Sequence, residues 1–325
     1  RFPLSNSTST DTILSPVLFA EPYSTGTQRH NLKIQRTVKF MSIAFLNDSY
    51  MPIAEAKISP LDRGFLFGDG IYEVIPSYEG KLLGFTGHID RMLDGLAGIG
   101  LVLDWTHDQW KSLCQELLTQ NGNGNLGIYL QVSRGADNKR YHAFPEAVAP
   151  TIFGFTFAIP SSPIADRTAA KRYSVITTQD LRWQRCHIKS TALLGNVLHF
   201  QQGHEQGNDE ALLYNANNEL TEASSCNAFI VKDGVVITPP LDNQLLPGIT
   251  RNMLIDILRK DGSIPVEERV VSMNEVHAAD EIWITSSTKE VGAVTTIDGN
   301  PVGTGDIGDT WIKAQTLFSN HKYDY

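Results

Sequence analysis

One lysine occupies a position from which it could do covalent chemistry. Lys189 precedes Ala192–Phe200, a largely apolar run without lysine, and together they predict a helix over 189–203 that starts at Lys189. A buried amine at a helix start tends towards its neutral form, because desolvation and the positive end of the helix dipole both oppose its charge. A neutral amine can attack a carbonyl carbon and form a Schiff base. Taken alone, Lys189 is more simply interpreted as a surface lysine, because most lysines are solvated, so its chemistry depends on the residues that accompany it.

Two downstream segments carry groups suited to a phosphorylated pyridine ring. Glu222 lies in Leu220–Asn227, where small hydroxyl residues would permit the close approach of a planar ligand. A carboxylate facing a pyridine nitrogen keeps that nitrogen protonated, and the protonated ring then acts as an electron sink. Pro247–Arg251 enters a predicted helix whose free N–H groups suit a phosphate, and residues 286–288 add hydroxyls. Each segment alone fits an ordinary turn or helix start equally well.

Three further segments carry groups that suit anions or a cleft. Arg91, in the first predicted helix, could bind an anionic group with two donors or form a surface ion pair. Tyr72 follows the glycine-rich Asp62–Gly70 and begins a predicted strand, so it could face a cleft or be a core aromatic. Arg140 and His142 alternate in an extended segment and, with a tyrosine, would bind a carboxylate, unless this is a solvated basic loop. A Schiff-base lysine, a downstream acid, an arginine and a helix-start glycine are together the parts of a pyridoxal-phosphate site.

Strands and helices alternate along the part of the chain that must position these residues. Thr106–Gln109 is a capping box that predicts a helix ending near Asn121, and Thr86 is expected to cap the preceding helix, which ends near Gly98. Lys232–Gly234 predicts a hairpin turn. The predicted strands are 42–47, 71–78, 128–133, 152–158, 173–178, 211–214, 228–231, 235–238 and 281–285, and the further helices are 248–260 and 310–320. Strands with interspersed helices predict an α+β protein with mostly antiparallel or mixed sheets.

Length and composition indicate a two-domain globular protein. The chain has 325 residues, of which 41% are hydrophobic and 19% charged, and this fits about two domains with full cores. Pro160–Pro163 predicts a linker at 160–164 between a small domain, 41–159, and a large cofactor-binding domain, 165–325. A net charge of −9 argues against nucleic acid or an anionic membrane as a partner, and no apolar run approaches the length of about 20 residues that spans a bilayer. Three scattered cysteines argue against a disulfide framework or a metal site and are typical of a cytoplasmic protein.

Residues 1–40 differ in composition from the rest. They hold serine and threonine clusters and two acids against five basic residues, and Met41 opens the first clearly patterned segment. A translated upstream or vector-derived extension and an organelle transit peptide would both have this composition. Because the stretch lacks a sustained amphipathic period, we favour the extension and expect it to be poorly ordered.

Seven ordered segments resemble one family of pyridoxal-phosphate enzymes. From about Met41 to about Asn320 the chain is similar to the fold-type IV enzymes, specifically the D-amino-acid (D-alanine) aminotransferases. The segments are DRGFLFGDGIYEV, HIDR, QVSRGADNKRYHAFP, LRWQRCHIKSTALLGNVL, LTEASSCNAF, LLPGITR and ITSSTKE. The resemblance implies a two-domain α+β fold with pyridoxal 5'-phosphate bound between the domains, at the interface of a homodimer.

The resemblance also implies a role for each site residue. Lys189 would form the Schiff base with the cofactor and then act as base and acid in the proton shift, and Glu222 would pair with the pyridine nitrogen. Tyr72 would take the substrate carboxylate, with Arg140 and His142 contributed by the other subunit. The phosphate would be held by Arg91, Ser287 and the backbone of Ile249 and Thr250, and Leu246 would pack on the ring.

The reaction implied is transamination of D-amino acids, of the type D-alanine plus 2-oxoglutarate to pyruvate plus D-glutamate. Tyr72, Arg140 and His142 favour this subfamily over the 4-amino-4-deoxychorismate lyases and branched-chain aminotransferases of the same fold. A non-catalytic module that keeps the fold is a further alternative, and the presence of Lys189 and Glu222 argues against it.

Two positions depart from the pattern of the family. Pro76 follows Tyr72 in the predicted strand, where we expect it to alter the wall of the cleft. His187 stands two residues before Lys189, where the family carries an acid. Both leave the substrate range open, including activity toward (R)-amines.

Overall fold

Two sheets, each covered by helices, make up the part of the chain that the structure describes. A computed structural model describes residues 42–325, which belong to one compact unit. The predicted extension over 1–40 lies outside the described residues, as does Met41. Within 42–325, none of the helices combines the length and hydrophobicity that crossing a bilayer requires.

The first sheet is antiparallel and carries three helices. Its strands are β1 (Ile43–Leu46), β2 (Ser49–Pro52), β3 (Gly70–Tyr78), β4 (Lys81–Leu82), β5 (Leu126–Ser133) and β6 (Thr151–Ala158), and its helices are α1 (Arg63–Phe67), α2 (Phe85–Gly98) and α3 (His107–Asn121). The strand order is β2-β1-β6-β5-β3-β4, and β3 pairs with β5 from Gly70 to Ser77.

Of the two helix caps predicted for this part of the chain, one is confirmed and one is wrong. The capping box is confirmed, because Thr106 and Gln109 each bind the other's backbone N–H at the start of α3. The helix then buries Trp110, Leu113 and Leu117, whose spacing of three to four residues places them on one face. The predicted cap at Thr86 is wrong, because α2 has already begun at Phe85 behind a glycine in the left-handed conformation.

The second sheet is mixed and larger. Its strands are β7 (Arg172–Gln179), β8 (Glu210–Tyr214), β9 (Leu220–Ala223), β10 (Asn227–Lys232), β11 (Val235–Thr238), β12 (Val266–Glu268), β13 (Glu281–Ser286), β14 (Glu290–Ile297) and β15 (Asn300–Pro301), and its helices are α4 (Leu194–Glu205), α5 (Ile249–Asp261), α6 (Met273–His277) and α7 (Asp309–His321). The order is β12-β11-β10-β13-β14-β7-β8-β9, with β15 beside β14. The pairs β7–β8, β7–β14 and β11–β12 are parallel and the others antiparallel, as a mixed sheet requires. The predicted hairpin turn at Lys232–Gly234 is confirmed between β10 and β11.

One hydrophobic core joins the two sheets. Tyr78, Leu83 and Ile159, from the part of the chain that forms the first sheet, pack in the same buried cluster as Phe229 and Trp283 of the second. Burying large side chains from both parts stabilises their mutual arrangement by removing apolar surface from water. A cavity at this junction therefore has walls that are fixed by packing.

The predicted helix start at Lys189 is wrong, and backbone pairing explains why. Helix α4 begins at Leu194, five residues later. The carbonyl of Lys189 accepts a hydrogen bond from the N–H of Tyr72 at 3.1 Å, and the N–H of Thr191 donates to the carbonyl of Gly70 at 2.9 Å. Because these peptide groups are bonded to the start of β3, they are not available for the hydrogen bonds of a helix. Lys189 thus lies in an extended segment along the first sheet.

Candidate active site lined by both sheets

A cavity of about 520 Å³ lies where the two sheets meet. This volume is in the range of small-molecule and cofactor sites, which is about 300–1,000 Å³. The structure brings eight of the sequence-predicted residues to its wall: Tyr72, Arg91, Lys189, Glu222, Leu246, Ile249, Thr250 and Ser287. They come from segments that are up to 215 residues apart in the chain, from Tyr72 to Ser287.

Lys189 presents its amine to this cavity next to Tyr72. Its Nζ lies 3.3 Å from the Tyr72 hydroxyl and 4.3 Å from the centroid of the tyrosine ring. The backbone of the segment is fixed by β3, and Gly68 allows α1 to approach it, since a Cβ there would lie 2.9 Å from Ala192 Cα. The amine is therefore held at a defined place on a half-buried stretch of chain.

Glu222, on β9, is a second polar residue of the cavity wall. The residue is 5% exposed, and burial raises the pKa of its carboxyl to about 7, while Arg182 acts to lower it. Oε1 accepts a hydrogen bond from Arg182 Nη1 at 2.6 Å, and Oε2 accepts from Asn227 Nδ2 at 3.1 Å and from the N–H of Leu246 at 3.0 Å. Three donors from three segments hold the carboxyl in one orientation.

Arg182 is a wall residue whose role the sequence did not reveal. Besides Glu222 it binds Asp180 through Nε at 3.0 Å and Nη2 at 2.7 Å. Although burial opposes its charge, Asp180 and Glu222 together hold the pKa of the guanidinium above its ordinary value. The segment LRWQRCHIK contains Arg182, but only the fold shows that it reaches an acid 40 residues away.

Arg91 enters the cavity wall from α2 with its charge already balanced. Its Nε and Nη2 donate to the two oxygens of Glu73 at 2.7 and 2.8 Å, and Nη1 donates to the carbonyl of Pro247 at 2.9 Å. Glu73 is fully buried; burial alone would raise its pKa, but Arg91 and His88 hold the pKa below its ordinary value. Since a guanidinium has five N–H donors, Arg91 keeps two for a further anion.

The N-terminus of α5 supplies the second anion-binding element. Ile249 and Thr250 form its first positions, and the N–H groups of a first helical turn have no partners within the helix. A Cβ at Gly248, the N-cap, would overlap Asn227 Oδ1, so only glycine lets this turn approach β10. Opposite it, Thr285 Oγ1 is buried without a hydrogen-bond partner among the described residues, and Ser287 follows two residues later.

These groups fit a pyridoxal-phosphate molecule. The amine of Lys189 could bind its aldehyde carbon, and the carboxyl of Glu222 could pair with its ring nitrogen. The N–H groups at the N-terminus of α5 could bind its phosphate. A buried hydroxyl without a partner costs free energy unless a ligand satisfies it, so Thr285 adds an observation that composition alone did not supply.

Arg140 and His142 do not lie on the wall of this cavity. Both are exposed in the connection between β5 and β6, where the Arg140 guanidinium lies 5.1 Å from the centroid of the Phe67 ring. Their predicted role in binding a substrate carboxylate from the other subunit stays a prediction.

Pro76 does not alter the cavity wall. On β3 the wall is formed by Tyr72 and Val74, whereas Pro76 is buried and pairs with Gly127 of β5. The cavity is also lined by residues that the sequence analysis did not single out, among them Phe157, Trp183, Asn196 and Lys289.

Comparison with known proteins identifies relatives over most of the chain. A family model described as amino-transferase class IV matches residues 70–297. A D-alanine aminotransferase of Listeria innocua is 39% identical over 273 residues, which cover 84% of this chain and 93% of the relative. A D-alanine aminotransferase of Staphylococcus epidermidis is 38% identical over 284 residues, which cover 86% of this chain and 98% of the relative.

Solved structures show the same fold. A branched-chain amino acid aminotransferase of Escherichia coli superposes with a TM-score of 0.79 at 22% identity, covering 87% of this chain and 95% of its own. A branched-chain aminotransferase of the archaeon Thermoproteus uzoniensis, in a structure with norvaline, superposes with a TM-score of 0.75 at 23% identity, covering 86% and 94%. A further branched-chain amino acid aminotransferase, complexed with N-(5'-phosphopyridoxyl)-L-glutamate, superposes with a TM-score of 0.77 at 22% identity, covering 86% and 93%. At this level of identity the likeness concerns the fold alone, and it agrees with the predicted fold-type IV architecture.

Proposed function

The chain belongs to the amino-transferase class IV family, and we propose that it is a pyridoxal-phosphate-dependent enzyme that transaminates D-amino acids. The observation that carries the proposal is the presence of Lys189 and Glu222 in one cavity, in a chain that is 36–39% identical to D-alanine aminotransferases. The reaction type is D-alanine plus 2-oxoglutarate to pyruvate plus D-glutamate. The related branched-chain enzymes support the fold, and at 22% identity they carry less weight for the substrate.

The residues of the cavity have separate tasks in this proposal. Lys189 would hold the cofactor through its Nζ, and as a free amine it would remove the proton from the substrate Cα and return a proton in the proton shift of transamination. When bound, the cofactor supplies an electron sink for the pair left on Cα. Glu222 would pair with the ring nitrogen and keep it protonated, and Leu246 would pack against the ring.

The phosphate would be held at the other end of the cavity. The residues proposed to bind it all line the cavity: Ile249 and Thr250 through their N–H groups, Ser287 through its hydroxyl and Arg91 through its two remaining donors. Because the charge of Arg91 is balanced by Glu73, its task is one of directed hydrogen bonding as much as of neutralising the phosphate.

A homodimer would complete the site. Leu181, Leu194 and Leu198 are 77%, 70% and 61% exposed, and they lie on and before α4, whose Val197 and Phe200 line the cavity. Apolar side chains exposed beside a cavity mark an interaction surface. We expect a second copy to pack there, and native mass measurement should give two chains.

In such a dimer, as the family resemblance implies, the partner subunit would contribute the Arg140 and His142 that bind the substrate carboxylate beside Tyr72. The cytoplasmic location stays a prediction.

The experiment that tests the proposal measures product and cofactor together. The purified protein is mixed with D-alanine and 2-oxoglutarate, and pyruvate is assayed, alongside a panel of L-amino acids and (R)-1-phenylethylamine. We expect pyruvate from D-alanine, and we expect Lys189→Ala to abolish both pyruvate formation and the visible absorbance of the bound cofactor. Lys171→Ala, which changes an exposed lysine just before β7, is the matched control and should change neither.

Two results would contradict the proposal. If D-alanine and 2-oxoglutarate yield no pyruvate, while aminodeoxychorismate is split into p-aminobenzoate and pyruvate, the chain would be assigned to the lyases of the same fold. Transamination of L-amino acids or (R)-amines in place of D-amino acids would keep the cofactor chemistry and overturn the substrate.

A further inference from the structure

One buried arginine outside the cavity binds the backbone that carries Arg140 and His142. Arg63, at the start of α1, is 3% exposed. Its Nη1 donates to the carbonyl of Tyr141 at 2.6 Å and to that of Ala143 at 3.3 Å, and its Nη2 donates to the carbonyl of His142 at 3.2 Å. One guanidinium thus binds three successive carbonyls of the loop 140–144, which we call the carboxylate loop.

The guanidinium is itself held in place by a partly buried acid. Arg63 Nε donates to Asp69 Oδ2 at 2.7 Å, and Asp69 also binds Arg134 through both oxygens, at 2.8 and 3.1 Å. Burial alone would raise the pKa of Asp69, but Arg134 and Arg63 hold the pKa below its ordinary value. Arg134 in turn lies 3.6 Å from the ring centroid of Phe144, at the far end of the same loop.

An aromatic ring connects the same arginine to the side chains of the loop. The Arg63 guanidinium carbon lies 4.8 Å from the centroid of Phe67, and the Arg140 guanidinium carbon lies 5.1 Å from it. The ring of His142 lies 5.3 Å from that of Phe67. Arg63 therefore bonds to the loop backbone, and Phe67 packs against two of the loop's side chains.

The backbone of the loop has few restraints of its own. It contains no helix or strand, and its residues from Arg140 to Phe144 are exposed. Among the described residues, the three carbonyls of 141–143 receive their hydrogen bonds from Arg63 and not from another part of the backbone. A loop without ladder hydrogen bonds keeps one conformation only where side chains impose it.

We propose that Arg63 is a positioning residue for substrate recognition: it orders the carboxylate loop so that Arg140 and His142 meet the substrate carboxylate. This rests on the proposed function, in which those two side chains bind that group in the partner's site. Arg63 acts through the loop and touches neither substrate nor cofactor, so it sets substrate binding and leaves cofactor retention unchanged.

The first test measures the loop itself and needs no substrate. Limited trypsin digestion of the holoenzyme, read by mass spectrometry, reports cleavage after Lys139 and Arg140, and cleavage of an exposed segment rises with its mobility. In Arg63→Met we expect cleavage there to be several-fold faster, with other sites unchanged. Arg63→Lys keeps a charge beside Asp69 and protects folding, and it should be intermediate because one ammonium cannot reproduce the guanidinium fork.

A matched control separates loss of these bonds from loss of any arginine. Arg167 also donates to a backbone carbonyl, that of Ile307 at 2.8 Å, and to an aspartate, Asp309, and these partners lie just before α7 and at its start, outside the carboxylate loop. Arg167→Met should leave cleavage at Arg140 unchanged. Equal cleavage in wild type and Arg63→Met would overturn the proposal.

The second test measures substrate binding against turnover. In Arg63→Met we expect KM for D-alanine and for 2-oxoglutarate to rise about tenfold, kcat to change less than about threefold, and the cofactor absorbance to persist. In the Arg140→Ala background the same change should add little, because the side chain that Arg63 positions is already absent. An undiminished further increase in that background, or an unchanged KM beside faster cleavage, would overturn the positioning role. If wild type forms no pyruvate from D-alanine, the proposed function fails while the digestion still decides whether Arg63 orders the loop.

Discussion

Glu222 is a carboxyl group that the fold has taken out of water, and its titration should affect stability. Its pKa is raised from an ordinary 4.5 to about 7, chiefly by burial. Because the folded state binds this proton more tightly than the unfolded state, the stability contributed by the protonated form is full below about pH 4.5 and is lost as pH rises through about 7. The difference corresponds to roughly 3 kcal/mol.

Urea unfolding of the cofactor-free protein at several pH values measures this loss. Between about pH 5 and pH 8 we expect the free energy of unfolding of wild type to fall more steeply than that of Glu222→Gln, which has no proton to lose at this position. Comparing slopes removes the constant cost of changing the hydrogen bond with Arg182. Parallel pH profiles for the two proteins would show that Glu222 is ionised in the folded state throughout this range.

Single residues of the site differed in how visible they were from sequence. Lys189 and Glu222 lie in segments where residue type and neighbours indicate chemistry, and the structure brings them to one cavity. Arg182 and Thr285 left no such signal, because an arginine and a threonine are ordinary until their partners are known. The partner of Arg182 is 40 residues away in the chain, and Thr285 is notable only because its buried hydroxyl has no partner among the described residues.

At the scale of elements, sequence signals predicted a helix boundary correctly where the hydrogen bonds that stabilise it join neighbouring residues. The capping box at Thr106 needs only residues 106–109, and α3 begins there. The prediction that α4 starts at Lys189 was wrong, because residues 189–191 pair with β3, more than 110 positions earlier in the chain. Strand β14 was not predicted, because it is buried on both faces and therefore lacks the alternation of polar and apolar residues that marks a half-exposed strand.

The contact between α5 and β10 gives a prediction at this scale. Gly248→Ala would place a Cβ against Asn227 Oδ1, and Asn227 also holds Glu222 and the carbonyl of Leu246. We expect the variant to lose about 1–3 kcal/mol of stability and to bind pyridoxal phosphate more weakly, because both the acid and the helix N-terminus shift. Equilibrium dialysis of the cofactor, beside urea unfolding, measures the two effects.

Gly308→Ala is the matched control for this substitution. Gly308 is the N-cap of α7, and a Cβ there would overlap Glu281 Oε1, which binds the N–H of Thr310. The clash is comparable, but α7 does not contribute to the cavity. The control should lose stability and keep its affinity for the cofactor; an equal loss of affinity in both variants would mean that Gly248 acts through stability alone.

At the scale of the molecule, the two sheets share a core and a cavity. Tyr78 and Ile159 pack with residues of the second sheet, so the walls that carry Tyr72 and Glu222 are fixed relative to each other. Composition and the order of motifs were enough to predict an α+β chain of this family. The division into domains at 160–164 stays a prediction, because it concerns how independently the parts fold.

A buried ion pair at the end of the chain joins these parts, and it yields the last prediction. Lys322 is 5% exposed and donates to Glu290 Oε1 at 2.6 Å and to Ser162, in the segment between the sheets, at 2.8 Å. Glu290 is fully buried and follows Lys289, which lines the cavity. Lys322→Met leaves the charge of Glu290 uncompensated, so we expect the free energy of unfolding, measured in urea, to fall by about 3–5 kcal/mol.

Two further variants serve as controls. Adding Glu290→Gln to Lys322→Met should restore much of the lost stability, whereas Lys260→Met, which breaks an exposed pair, should cost less than about 1 kcal/mol. If Lys322→Met costs no more than Lys260→Met, the pair does not tie the end of the chain to the rest of the molecule.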